Sequence, residues 1–152
     1  SLIKEVIKEK KIHTLWFEAH YMYRKKLASF AEQFAPAKVK FRCGVETFDT
    51  ALREAWKKGI PSSVSVQDIA QHFQGICLLC CTQGETKEHI LKDIELAKAH
   101  FEYFSVNVFC DNHTPIKQDK ELASWFAKVV YPMIKDDPRI EVLMENTDLG
   151  VG

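Results

Sequence analysis

Three apolar runs in this chain end in a carboxylate: "LWFE" at Glu18, "FRCGVE" at Glu46 and "VNVFCD" at Asp111. A carboxylate accepts hydrogen bonds from hydroxyls and ammonium groups, and such bonds count for more where water is excluded. The run "FRCGVETFD" at 41–49 shows how such a group is presented. Along a strand, successive side chains point to opposite faces, so Val39, Phe41, Cys43 and Val45 share an apolar side, while Lys40, Arg42, Gly44 and Glu46 share a charged one. Gly44 between two charged residues leaves room for a ligand. Arg42 and Glu46, two positions apart on one face, either pair with each other or leave Glu46 to contact a cofactor. His20 follows Glu18, and Asp111, Asn112, His113 and Thr114 follow the last of the three runs. Loops after strands are where function gathers, although Asp or Asn before His113-Thr114-Pro115 also makes a good turn that stops a strand.

Cysteine is the other reactive type. The five are Cys43, Cys77, Cys80, Cys81 and Cys110. An odd number without an export signal argues for reduced thiols. "CLLCC" contains a Cys-x-x-Cys pair, but in a strand Cys77 and Cys80 face opposite ways, and a metal site needs both thiolates turned to one ion. No metal site is expected, and these thiols read as small buried hydrophobes. At 152 residues, 46% hydrophobic and 28% charged, the chain fits one domain, 1–152, with a sizeable core. Lys plus Arg balances Asp plus Glu at 21 each, so no global field favours nucleic acid or an anionic membrane. No run reaches the roughly 18 apolar residues of a membrane span, and the expected location is the cytoplasm.

The elements that must hold these groups follow from periodicity. Helical spacing is expected in "LIKEVIKEKK", "MYRKKLASFAEQF", "TFDTALREAWKKG", "VQDIAQHF" after Ser65, "ETKEHILKDIELAKAHF" and "KQDKELASWFAKVVYPMIKD", the last disturbed at Pro132. Strands are expected in "IHTLWFEAH", "KVKFRCGVE", "GICLLCC", "YFSVNVF" and "RIEVLME". Regular alternation with short connections points to βαβ units and a parallel sheet. A doubly wound sheet is apolar on both faces, yet Thr14, Trp16 and Glu18 share a mixed face, as do Ser105, Asn107, Phe109 and Asp111. The fold class is therefore α/β, a partial (β/α) barrel of parallel strands with a polar lumen and ligand-binding carboxyl ends.

"LWFEAH", "FRCGVETFD", "KKGI", "GICLLCCTQGETKEHI" and "FCDNHTPIKQD", in this order and spacing, resemble the second half of the radical S-adenosylmethionine (SAM) enzyme domain. They look most like the branch with the oxygen-independent coproporphyrinogen oxidases. The resemblance implies a parent enzyme that uses a [4Fe–4S] cluster to cleave SAM to a 5′-deoxyadenosyl radical, acting as an oxidoreductase or modifying enzyme. It places Glu18, Glu46, Lys58 and Cys77 at cofactor-contacting positions, Cys77 standing where the family often has a carboxylate, and Arg42 on the same lumen face is a further cofactor-binding candidate. By their places at or just after strand ends, His20, Asp49, Asn107, Asp111, Asn112 and Thr114 are the candidates for the substrate mouth. No complete Cys-x3-Cys-x2-Cys motif occurs: Cys77 and Cys81 supply half of one, and the next required position is Gly84. The chain thus reads as the carboxyl-terminal half of the domain, retaining no cofactor by itself and inactive alone.

Two other readings use the same residues. A metal-dependent hydrolase would need Glu18, His20, Asp111 and His113 to converge on one ion. A non-enzymatic half-barrel would serve binding or assembly. In every case an unpaired first strand invites self-association. His13 is expected to face the helices, and His72, His89 and His100 the helix surfaces. Trp16 and Phe109 are expected to fill the lumen, and Asp148 in "NTDLGVG" either covers the barrel or frays.

Overall fold

The computed structural model describes residues 1–146. Five strands form one parallel sheet in sequential order: β1 (Thr14–Glu18), β2 (Lys38–Glu46), β3 (Gly75–Cys80), β4 (Tyr103–Phe109) and β5 (Ile140–Asn146). Strand order that never reverses is the order of a barrel wall, and right-handed crossovers then put every helix on one face. The helices are α1 (Leu2–Glu9), α2 (Leu27–Glu32), α3 (Thr50–Ala55), α4 (Val66–Ala70), α5 (Lys87–His100), α6 (Lys120–Trp125) and α7 (Tyr131–Ile134).

The outward faces carry the core. Phe41, Cys43 and Val45 of β2, Ile76, Leu78 and Cys80 of β3, and Phe104, Val106 and Val108 of β4 are buried against Ile69, Phe73, Ile90, Ile94, Ala97, Phe126, Val130 and Ile134. Each fully buried large aliphatic or aromatic side chain contributes roughly 1.5–3 kcal/mol. This sheet is strongly curled. Arg42 on β2 lies 3.8 Å from Glu141 on β5, three strand spacings away, and in a flat sheet those strands would stand about 14 Å apart.

Several local expectations are corrected. The helix expected from Met22 starts as a 3-10 turn, Tyr21–Lys26, capped by the His20 ring, and becomes α-helical only at Leu27. The stretch 47–59 is helical over Thr50–Ala55 alone, because Asp49 caps it there. The last helix opens at Asp119, its cap, rather than at Lys117, and its disturbance is a π-turn, Phe126–Val130, that precedes Pro132. Pro132 has no N–H, and widening the preceding turn is one way a helix accommodates it. His13 is exposed instead of facing the helices. The closing segment with Asp148 lies outside the described residues.

Candidate functional site

The inner sheet face is built in rows by the parallel register. Glu18, Arg42, Gly75 and Tyr103 form one row, and Gly44, Cys77, Ser105 and Glu141 form the next toward the carboxyl ends; Leu79, Asn107 and Leu143 lie beyond. Trp16 makes the floor. Its ring rests on Gly75, where an added Cβ would stand 3.0 Å from Trp16 Cζ3 and 2.9 Å from the Tyr103 carbonyl oxygen. Trp16 and Tyr103 meet as tilted rings 5.7 Å apart, and the Tyr103 hydroxyl donates to Glu141 at 2.7 Å. Burial, reinforced by that carboxylate, pushes the Tyr103 phenol up to about 12. Arg42 is clamped between two acids, donating to Glu18 Oε2 at 3.2 Å and facing Glu141 at 3.8 Å.

Above this floor, Glu46 and Lys58 form a half-enclosed ion pair at 3.0 Å, each side chain about one-seventh exposed (14% and 15%). Glu46 sits past a bulge in β2 with φ at 68°, the left-handed region that costs a non-glycine residue on the order of 1 kcal/mol or more. That backbone turn aims its carboxylate inward. Desolvation raises the Glu46 pKa, opposed by the Lys58 ammonium. Gly44 is the bare spot between the acids: a Cβ there would lie 3.6 Å from Glu46 Oε1 and 3.9 Å from Glu18 Oε1. Two carboxylates and one ammonium therefore surround a patch of uncovered backbone. Cys77 stands beside it; burial drives its thiol to about 11 against the pull of Ser105 and Arg42, so it is protonated at neutral pH. Asn107 faces the same lumen, and its Oδ1 is buried without a partner among the described residues.

Of the two readings left open for Arg42 and Glu46, the mutual ion pair is not formed: Arg42 joins Glu18 and Glu141, and Glu46 joins Lys58. Glu141 lies 99 positions from Arg42, a contact that only the curl of the sheet produces. Other mouth candidates have local partners. His20 Nδ1 accepts from the Met22 N–H at 3.2 Å, so the neutral ring carries its proton on Nε2, which donates to the Lys58 carbonyl at 2.6 Å. His20 therefore latches the β1 end to the segment bearing Lys58. Asp49 caps α3 and its other oxygen lies 3.6 Å from His89 Nε2. Asp111 accepts from the Gln118 N–H, and Asn112 accepts from both N–H and hydroxyl of Thr114, the turn geometry expected of these types. The hydrolase constellation of Glu18, His20, Asp111 and His113 is not assembled: among the described residues no three His, Cys, Asp or Glu side chains converge as a metal site. Two buried acids on α5 or just before it escaped sequence reasoning. Asp93 accepts from Thr47 Oγ1 at 2.7 Å and from the Phe48 N–H at 3.0 Å, fixing the loop that follows Glu46. Glu85 accepts from the N–H and hydroxyl of Thr82, and its other oxygen is buried without a partner among the described residues. Its burial showed no signal in a polar "TQGETKE" stretch.

The sequential parallel wall, the outward core and the acidic lumen define a partial β/α barrel of the radical SAM type. Among solved structures, a queuine lyase from Clostridium spiroforme bound to SAM and queuine shares this fold, with a TM-score of 0.87 and 35% sequence identity over 99% of this chain. The resemblance to the radical SAM superfamily is upheld by that likeness. The chain spans 65% of the length of that lyase's chain. No protein-family model matches the sequence, and no curated protein matches it.

Proposed function

We propose that this chain supplies the SAM-positioning wall of a radical SAM enzyme, whose full-length parent acts on queuine or a close chemical relative. The substrate assignment rests on the 35% identity to a lyase bound to SAM and queuine. The observation that carries the cofactor assignment is the trio around Gly44: Glu18 and Glu46 on either side, with Lys58 holding Glu46. Ribose hydroxyls and an amino-acid ammonium donate to carboxylates, and Lys58 meets a ligand carboxylate as a point charge. Arg42 orients Glu18 by donating to its Oε2, and the Cys77 thiol adds a small uncharged contact rather than the acid often found there. SAM, when bound and reduced, is the source of a 5′-deoxyadenosyl radical.

The cysteines described here do not fit a [4Fe–4S] cluster. Cys77 faces the lumen, whereas Cys43, Cys80 and Cys81 are buried in the outward core. The cluster is therefore assigned to the remainder of the parent, and this chain alone is expected to cleave no SAM. Among the described residues no helix is long and apolar enough to cross a membrane, consistent with a cytoplasmic parent. Anaerobic reconstitution of the parent tests the proposal: it should release 5′-deoxyadenosine from SAM in the presence of queuine, at least tenfold more slowly in Glu46→Gln. A cluster-loaded parent that leaves SAM intact contradicts it.

A further inference from the structure

Lys58 reaches Glu46 from an irregular segment. It lies outside every helix and strand, between Lys57 at φ 54° and Gly59 at φ 67°, both in the left-handed region. Its two peptide groups are nonetheless engaged. The Lys58 N–H donates to the Arg53 carbonyl at 3.3 Å, and the Lys58 carbonyl accepts from His20 Nε2 at 2.6 Å. The first bond is local, whereas the second crosses from the end of β1, 38 positions away. The His20 ring is fixed in turn. Its Nδ1 accepts from the Met22 N–H at 3.2 Å, capping the 3-10 turn, and its edge lies against Gly59, where a Cβ would stand 3.5 Å from both Cε1 and Nε2. A carbonyl only accepts and a backbone N–H only donates, so these two partners select the neutral ring with its proton on Nε2. Both ring nitrogens are spent on backbone, which leaves neither for a substrate. What the ring holds is the peptide that carries the Lys58 ammonium to within 3.0 Å of Glu46.

We propose that His20 is a positioning residue for the Lys58–Glu46 pair, acting through the Lys58 carbonyl, and that it thereby sets the affinity of this wall for SAM without touching the ligand. The link to SAM rests on the cofactor reading above; the link to the ion pair stands on the two ring bonds alone.

Two substitutions separate the two ring nitrogens. Asparagine puts an acceptor oxygen where Nδ1 stands, is a good cap and is too short to reach Lys58; glutamine carries an N–H donor as many bonds from Cα as Nε2. His20→Asn therefore keeps the cap and frees Lys58, and His20→Gln does the reverse. The first readout is NMR titration of the Glu46 carboxyl in chain labelled with 13C-glutamate, its resonance assigned by its loss in Glu46→Gln. The Lys58 ammonium lowers the Glu46 pKa against burial and the Glu18 charge, so His20→Asn should raise the midpoint by at least half of the rise seen in Lys58→Met, and His20→Gln should recover most of it. In a Lys58→Met background His20→Asn should add nothing, whereas a general loosening of the fold would shift the midpoint further. The second readout is calorimetric titration of SAM, which should bind at least fivefold more weakly to His20→Asn and recover in His20→Gln. A Glu46 midpoint unmoved by His20→Asn, or moved equally by both substitutions, overturns the positioning role whether or not SAM binds. A shifted midpoint with SAM affinity unchanged overturns the link to SAM. Failure of the wild-type chain to bind SAM removes the proposed cofactor, and the Glu46 midpoint still decides what His20 positions.

Discussion

Glu85 holds its proton into the neutral range because burial raises its pKa to about 7, more than the Thr82 hydrogen bonds lower it. Its ordinary value is 4.5, so between 4.5 and about 7 the folded chain keeps a proton that the unfolded chain has lost. Stability from this group is present at low pH and declines as pH rises through that window, by up to about 3 kcal/mol. Glu85→Gln retains the acceptor for Thr82 and cannot ionise. The melting temperature of the variant should fall less than that of wild type between pH 5 and pH 8, and parallel profiles would contradict this. Glycine positions give a second contrast. Gly75→Ala forces a methyl against the Tyr103 carbonyl at 2.9 Å and should cost ~1–3 kcal/mol in urea unfolding. Gly44→Ala meets only ordinary contacts at 3.6 Å and should unfold like wild type within about 1 kcal/mol; equal losses at both sites would refute the floor. At this scale the sequence was half legible. Alternation put Arg42 and Gly44 on one face, and the bulge rather than alternation turns the Glu46 carboxylate toward it; partner choice depended on Lys58 and Glu141, which only the folded chain brings near.

Among the elements, β2 and α5 do the positioning. Asp93 of α5 reaches across to Thr47 and Phe48, and so holds the chain leaving the bulge that aims Glu46 inward. Asp93→Ala leaves a buried hydroxyl and a backbone N–H without their acceptor, each worth ~1–3 kcal/mol. The variant should lose about 2–4 kcal/mol in denaturant unfolding, and a loss under about 0.5 kcal/mol would show that the loop is held by something else. The strands were legible because their outer faces are uniformly apolar. Helix boundaries were less so: the basic run Tyr23-Arg24-Lys25-Lys26 has helical periodicity but sits in a 3-10 turn set by the His20 cap. The π-turn before Pro132 depends on a missing N–H and on Phe126 and Val130 both reaching the core.

For the molecule as a whole, the exposed apolar surface is uneven. Among the described residues seven of the eleven exposed large hydrophobics, Leu2, Ile3, Val6, Trp16, Met22, Tyr23 and Phe30, lie within the first thirty positions, around the β1 edge. That edge offers unpaired backbone groups beside apolar surface, and net charge of zero gives no repulsion between copies. We therefore propose that the isolated chain self-associates there. Sedimentation equilibrium should show a dimer or larger species that dissociates on dilution, and a monomer at every concentration would contradict it. Barrel architecture was legible from alternation and mixed inner faces, whereas the degree of curl was not, since it emerges from side chains such as Arg42 and Glu141 meeting across the lumen.

Calorimetric titration of SAM into this chain tests whether the two acids around Gly44 and the Lys58 ammonium form the proposed SAM wall. Saturable binding is expected, weakened at least tenfold in Glu46→Gln and in Gly44→Val, with both variants still folded by circular dichroism. Absence of binding to the wild-type chain, or binding that neither substitution alters, would contradict it.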